Sequence, residues 1–153
     1  MSDWFWKKLN LYFSWAFIAA IFGLLAFLLN IEIKDFDLWL HLAMGKYIFQ
    51  TGIIPSTDIL SFTKVGVPWV NHEWLHQVVV YLSYATAGAQ GLVNFQMVVV
   101  GLSVGLLLLM GYNRERPLVP LVTLLLVVLA YQSRLTHRPD LVSLLYFVSF
   151  VFI

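Results

Sequence analysis

The sequence predicts an all-α, polytopic membrane bundle with an external loop that carries an interfacial amphipathic helix. Hydrophobic residues form 61% of the 153, charged residues only 11%, and mean hydropathy is +0.84. An average soluble domain carries about one quarter charged residues. Long apolar runs are separated by short polar breaks, the pattern of helices that satisfy their own backbone hydrogen bonds in lipid. The formal net charge of +1 provides no dense basic face for nucleic acid. The absence of cysteine excludes disulfides, thiolate catalysis and thiolate-held metals.

Residues 1–10, with Trp4, Trp6, Lys7 and Lys8, read as an interfacial anchor ahead of a first span at 11–29. That span rises about 28 Å, close to the roughly 30 Å hydrocarbon layer. The two lysines favour a cytoplasmic N-terminus in an inner or plasma membrane and make the following segment extracytoplasmic. The exit from the span lacks the small-residue pattern of a signal cleavage site, so the segment is expected to stay. Ala16, Ala19, Ala20 and Gly23 form a small-residue patch that would admit a partner helix.

Residues 30–71 form the external loop. Within it, a helix over 36–49 puts Asp37, His41 and Gly45 on one face at i, i+4 and i+8, while Trp39, Leu40 and Phe49 turn toward lipid. Asp35 is placed to cap this helix, and Asp37 in its first turn faces the positive end of the helix dipole. Two readings follow: a surface-lying helix whose short polar face touches headgroups, or a site in which the Asp37 carboxylate faces a cavity open to the membrane surface. Thr51-Gly52 ends the helix, and Pro55-Ser56-Thr57-Asp58 and Lys64-Val65-Gly66-Val67-Pro68-Trp69 supply turns without strand patterning.

Asn71 is expected to cap a short membrane helix over 72–87. Gly88-Ala89-Gln90-Gly91 separates it from a span at 92–111, in which Gly101 and Gly105 suggest close helix packing. Further membrane helices follow at 118–133 and from 141 to 153. The whole reads as one membrane domain, and its end inside an apolar run suggests a fragment. If 72–87 crosses fully, the preferred reading, Arg114 and Arg116 lie outside and Arg134 and Arg138 inside. If it only dips into the interface, these positions exchange.

His72-Glu73-Trp74-Leu75-His76 matches the His-Glu-x-x-His pattern of zinc peptidases. There, two histidines one helical turn apart hold the metal and the glutamate activates its water. No unique third ligand follows, and a helix cap with interfacial histidines is the preferred reading of the stretch.

From the first span through Asp37-Leu38-Trp39-Leu40-His41-Leu42, Gly45, Gly52-Ile53-Ile54-Pro55, Asp58, Phe62, Gly66, Trp69 and Asn71-His72-Glu73-Trp74-Leu75, the chain resembles multi-pass glycosyltransferases of the C superfamily. These include bacterial relatives of protein mannosyltransferases and oligosaccharyltransferase catalytic subunits. The resemblance covers about residues 10–140; the later membrane helices and large terminal region of a complete enzyme are not in this sequence. It implies sugar transfer from a polyprenyl-phosphate-linked donor at the external membrane face. Asp37 would then act as catalytic base or as ligand of a divalent cation, with His41 on a phosphate or sugar hydroxyl. Glu73 would extend the acidic wall, and Arg138 would neutralise the lipid phosphate if it lies outside. The alternatives are a zinc metallopeptidase built on His72, Glu73 and His76, and a noncatalytic membrane assembly protein with partner helices.

Overall fold

A computed structural model describes residues 2–30, 36–113, 115–132 and 138–153, with side chains from Lys8 onward. Asp35, Arg114, Arg134 and the anchor side chains of Trp4, Trp6 and Lys7 lie outside the described residues. The elements are all helical: α1 (Ser2–Leu29), α2 (Asp37–Thr51), α3 (Trp74–Gly111), α4 (Leu118–Tyr131) and α5 (Pro139–Phe152). Where the sequence reads as one membrane domain, the chain forms two compact units. One comprises 1–32, 97–135 and 143–153, the other 33–96 and 136–142.

In the first unit α1 packs against α4. The helix begins at Ser2, so the expected anchor continues directly into the span, and Lys8–Leu29 alone is long and apolar enough to cross a membrane. Ile21, Leu25 and Leu29 are buried on α1 and Leu121, Leu124 and Val128 on α4. Outward-facing residues are as apolar as the buried ones: Phe13, Trp15, Phe27, Leu109, Leu126, Phe147 and Phe150 are all exposed. A patch of that extent is unfavourable in water and ordinary in lipid. The small residues expected to mediate packing do little here, since a Cβ on Gly23 or Gly105 would meet nothing within 4 Å and one on Gly101 would only touch Phe22.

The second unit is organised by α2 and by a reversal inside α3. Ala87 (φ −143°, ψ 20°) and Gly88 (φ 60°, ψ −144°) leave helical geometry, and only glycine adopts the second conformation without strain. His76 and Phe95 would stand about 28 Å apart on an unbroken helix. Their rings are instead 6.4 Å apart, so 74–86 and 89–96 fold back on each other as a helical hairpin. The arm 74–86 measures about 20 Å before the chain turns back at Ala87-Gly88. The helix expected over 72–87 is present as an arm over 74–86 that turns back at Gly88.

Two glycines set the spacing of this unit. A Cβ on Gly91 would fall on the Ser83 carbonyl oxygen, and one on Gly45 would fall on the Gln77 carbonyl oxygen and 2.8 Å from Tyr81 Cβ. Backbones at these points touch, which lets Leu38 and Leu42 of α2 close a buried cluster with Val80, Leu92 and Phe95. Gly52 ends α2 in the left-handed conformation (φ 68°), its N–H donating to the Ile48 carbonyl at 2.8 Å. Asn71 does not cap a helix at His72. Its buried side-chain amide donates to Gln77 Oε1 at 2.7 Å, and the helix starts at Trp74.

The loop between α2 and α3 is a compact turn closed by the antiparallel bridge of Thr57 with Pro68. The Asp58 N–H donates to the Val67 carbonyl at 2.9 Å, and the Trp69 N–H to the Ser56 carbonyl at 2.8 Å. Asp58 fastens the tip by accepting the Ser61 hydroxyl and the N–H groups of Leu60 and Ser61. The Ser61 hydroxyl, followed by the two backbone donors, holds the Asp58 carboxyl below its ordinary value of 3.8. A lowered folded-state pKa contributes stability above the ordinary value and loses it as pH falls through the folded one. Acidification below the usual carboxylate range is therefore expected to release the Leu60 and Ser61 amides to hydrogen exchange. Asp58→Ala should expose both at every pH and remove the acid step; an acid step that survives in that variant would contradict the assignment.

Candidate functional site

Helix α2 brings the sequence-predicted residues to two different environments. Asp37, in its first turn, lies 3.2 Å from the Arg138 guanidinium, and both side chains are about half exposed (59% and 50%). Phe36 occupies the N-cap position without a side-chain cap, so Asp37 is the acidic group at this helix end. The pair joins the start of α2 to the segment before α5, putting Asp37 and Arg138 on one surface. An ion pair this exposed is worth about 0–1 kcal/mol.

One turn on, the same helix face turns inward. His41 is 4% exposed, with Nδ1 buried, without a hydrogen bond and 3.7 Å from Glu73 Oε2. Its ring meets His76 edge-on at 5.5 Å. The other Glu73 oxygen faces His72 Nε2 at 3.6 Å, and the His72 side chain is 79% exposed. The carboxylate thus stands between a surface histidine and a buried one. The shared face of Asp37, His41 and Gly45 exists, but His41 and Gly45 are packed against 74–86 rather than set on a headgroup-facing surface. His41, expected to touch phosphate or sugar, is buried where α2 packs on 74–86, beside the partly exposed Glu73 carboxylate, and is suited to positioning α2.

The zinc-like motif is divided by where the helix begins. His72 precedes α3 and points outward, whereas His76 is inside α3 against His41 and Phe95. Among the described residues no group of three His, Cys, Asp or Glu side chains could hold a metal. Asp37, expected as a cation ligand, faces a cationic guanidinium instead. These residues do not fit a resident divalent cation.

A groove of about 490 Å³ runs beside α2, with Leu40 and Met44 on one side and Leu60, Val67, Pro68 and Trp69 on the other. Lys64 and Asp58 are its charged lining. Helix α2 lines this groove with Leu40 and Met44. Sequence reasoning passed over Lys64 as a turn residue; its position between Gly66 and the Asp58 staple was the available signal. Volume and lining are those of a pocket for a largely apolar ligand.

Fold and composition together define an all-α protein with at least two apolar helices of membrane-crossing length, consistent with an integral membrane protein. Comparison with protein-family models, curated proteins and solved structures returns no match.

Proposed function

We propose that this chain forms the acidic membrane-surface site of a glycosyltransferase that takes sugar from a polyprenyl-phosphate-linked donor. The observation that carries the reading is the meeting of Asp37 with Arg138, an acid and a guanidinium from distant parts of the chain, both accessible, on one surface. Glycosyl transfer from a lipid phosphate needs a base for the acceptor and a cation for the departing phosphate. The acceptor oxygen bonds to the anomeric carbon, the bond from that carbon to phosphate oxygen breaks, and its electron pair stays on the phosphate. Asp37 accepts the acceptor's proton. Arg138 has five N–H donors, enough to hold the carboxylate at one edge and phosphate oxygens at another. The groove beside Leu40 and Trp69 offers apolar surface for the prenyl chain a turn along α2.

This reading has a definite topology. With the N-terminus cytoplasmic, α1 crosses outward, and α2 with the 74–86 arm stays outside. The 89–111 arm crosses inward, α4 returns, and α5 begins outside. Asp37 and Arg138 are then external, and Arg116 joins Lys8 on the cytoplasmic side, in keeping with the positive-inside preference. The cysteine-free chain permits a direct check. In sealed, right-side-out vesicles an impermeant maleimide is expected to label Asp140→Cys and to miss Asn113→Cys until the membrane is opened. Labelling of both from one side would reject the topology.

The function is tested by photo-crosslinking in membranes with a polyprenyl-phosphate hexose bearing a diazirine in its first isoprene units. Saturable crosslinks are expected in peptides containing Leu40 or Trp69, and Arg138→Gln is expected to weaken capture about tenfold, as loss of a charge-assisted contact does. Capture that does not saturate, or that is unchanged by Arg138→Gln, would overturn the reading.

A further inference from the structure

A second groove, of about 450 Å³, lies in the first unit between the end of α3 and the start of α4. Its walls are Leu107, Leu108, Val119, Leu124 and Val127, and Arg116 lies at the turn joining the two helices. Nothing in the sugar-transfer reading uses it. Asn113 Oδ1 accepts the N–H groups of Glu115 (2.8 Å) and Arg116 (3.3 Å), which fixes the turn. Pro117, buried at the N-cap of α4, stiffens the next step. Among the described residues no carboxylate lies within ion-pair distance of the Arg116 guanidinium, neighbouring Glu115 included.

We infer that this groove is a binding site for an anionic phospholipid, with an acyl chain between α3 and α4 and the phosphate on Arg116. Charge and position select that occupant. An apolar slot along two membrane helices takes a hydrocarbon chain, and a guanidinium where those helices end stands at headgroup depth. Its planar donors match phosphate oxygens two at a time. A zwitterionic lipid offers the same phosphate but adds a cationic group near the guanidinium, so a net-negative headgroup is preferred. Asn113 lines the same groove beside Arg116, whereas the Thr123 hydroxyl donates to the Val119 carbonyl at 2.9 Å and is not needed by the lipid.

The absence of cysteine allows a local probe. A fluorophore on Thr123→Cys reports the groove, and one on Leu126→Cys reports lipid-facing surface that does not line it. The full chain is placed in phosphatidylcholine nanodiscs doped with equal small fractions of dibrominated phosphatidylglycerol or dibrominated phosphatidylcholine. At position 123 the anionic lipid is expected to quench at about fivefold lower content than the zwitterionic one, the preference a single basic residue near the surface provides. At position 126 the two should quench alike. Arg116→Gln should abolish the preference at 123, and Arg116→Lys, which keeps the charge, should retain part of it and so separate headgroup binding from a folding defect. Soluble glycerol phosphate should leave the quenching unchanged. Equal quenching by both lipids at 123, an undiminished preference in Arg116→Gln, or displacement of the lipid by soluble glycerol phosphate would overturn the inference.

Discussion

On the sugar-transfer reading, and where the membranes show such transfer, Asp37→Asn is expected to lower it at least about a hundredfold, the lower end of what removing a general base costs. Asparagine keeps the side-chain volume and an oxygen acceptor but cannot take up the acceptor's proton. The substitution should leave thermal stability nearly unchanged, because the half-exposed pair with Arg138 is worth about 0–1 kcal/mol. It should also leave the KM for donor nearly unchanged while kcat falls, whereas Arg138→Gln should act mainly through donor KM. That split separates a group that moves the proton from one that holds the phosphate. A folded Asp37→Asn protein with undiminished transfer would remove Asp37 from catalysis and leave it as the acidic residue of a helix start.

Much of the helix layout was legible because helix ends announce themselves locally. The 36–49 reading matches α2 to within two residues, since Gly52 stops the helix by a conformation that glycine adopts freely. Gly88-Ala89-Gln90-Gly91 marked the break in α3, but a break does not state its angle. The reversal depends on the φ of Gly88 and on Gly91 lying against Ser83, which only the folded backbone reveals. The small-residue pattern misled for a related reason. Gly101 and Gly105 have the spacing of a packing motif and little beside them, while Gly45 and Gly91, without that spacing, make the close approaches. His72 and His76 likewise have metal-ligand spacing only if both lie on one helix, and α3 starts between them. Asp37 stands out locally from its place in the first turn of α2, and the resemblance implies the pairing of its role with that of Arg138; that the two meet is a property of tertiary structure, since nothing local to either residue encodes it.

Gly45→Val is expected to disrupt the packing of α2 on α3 and to lower the unfolding temperature sharply. The first added carbon would fall on the Gln77 carbonyl, a backbone atom that cannot rotate away, and would stand 2.8 Å from Tyr81 Cβ. Overpacking a core typically costs about 1–3 kcal/mol and occasionally more. Here the obstacle is backbone and not the end of a flexible side chain, so the cost should reach or exceed the upper figure. Moving α2 away to make room would uncover the Leu38, Leu42, Val80 and Leu92 cluster and separate His41 from Glu73 and His76. Gly23→Val is the matched control, because a Cβ there meets nothing within 4 Å and valine on a lipid-facing helix is well tolerated. Thermal unfolding of both variants in the same detergent, with exchange protection of the α2 amides, compares them directly. Equal melting temperatures for the two would show that α2 does not rest on α3 through Gly45, and the inward placement of His41 would fall with it.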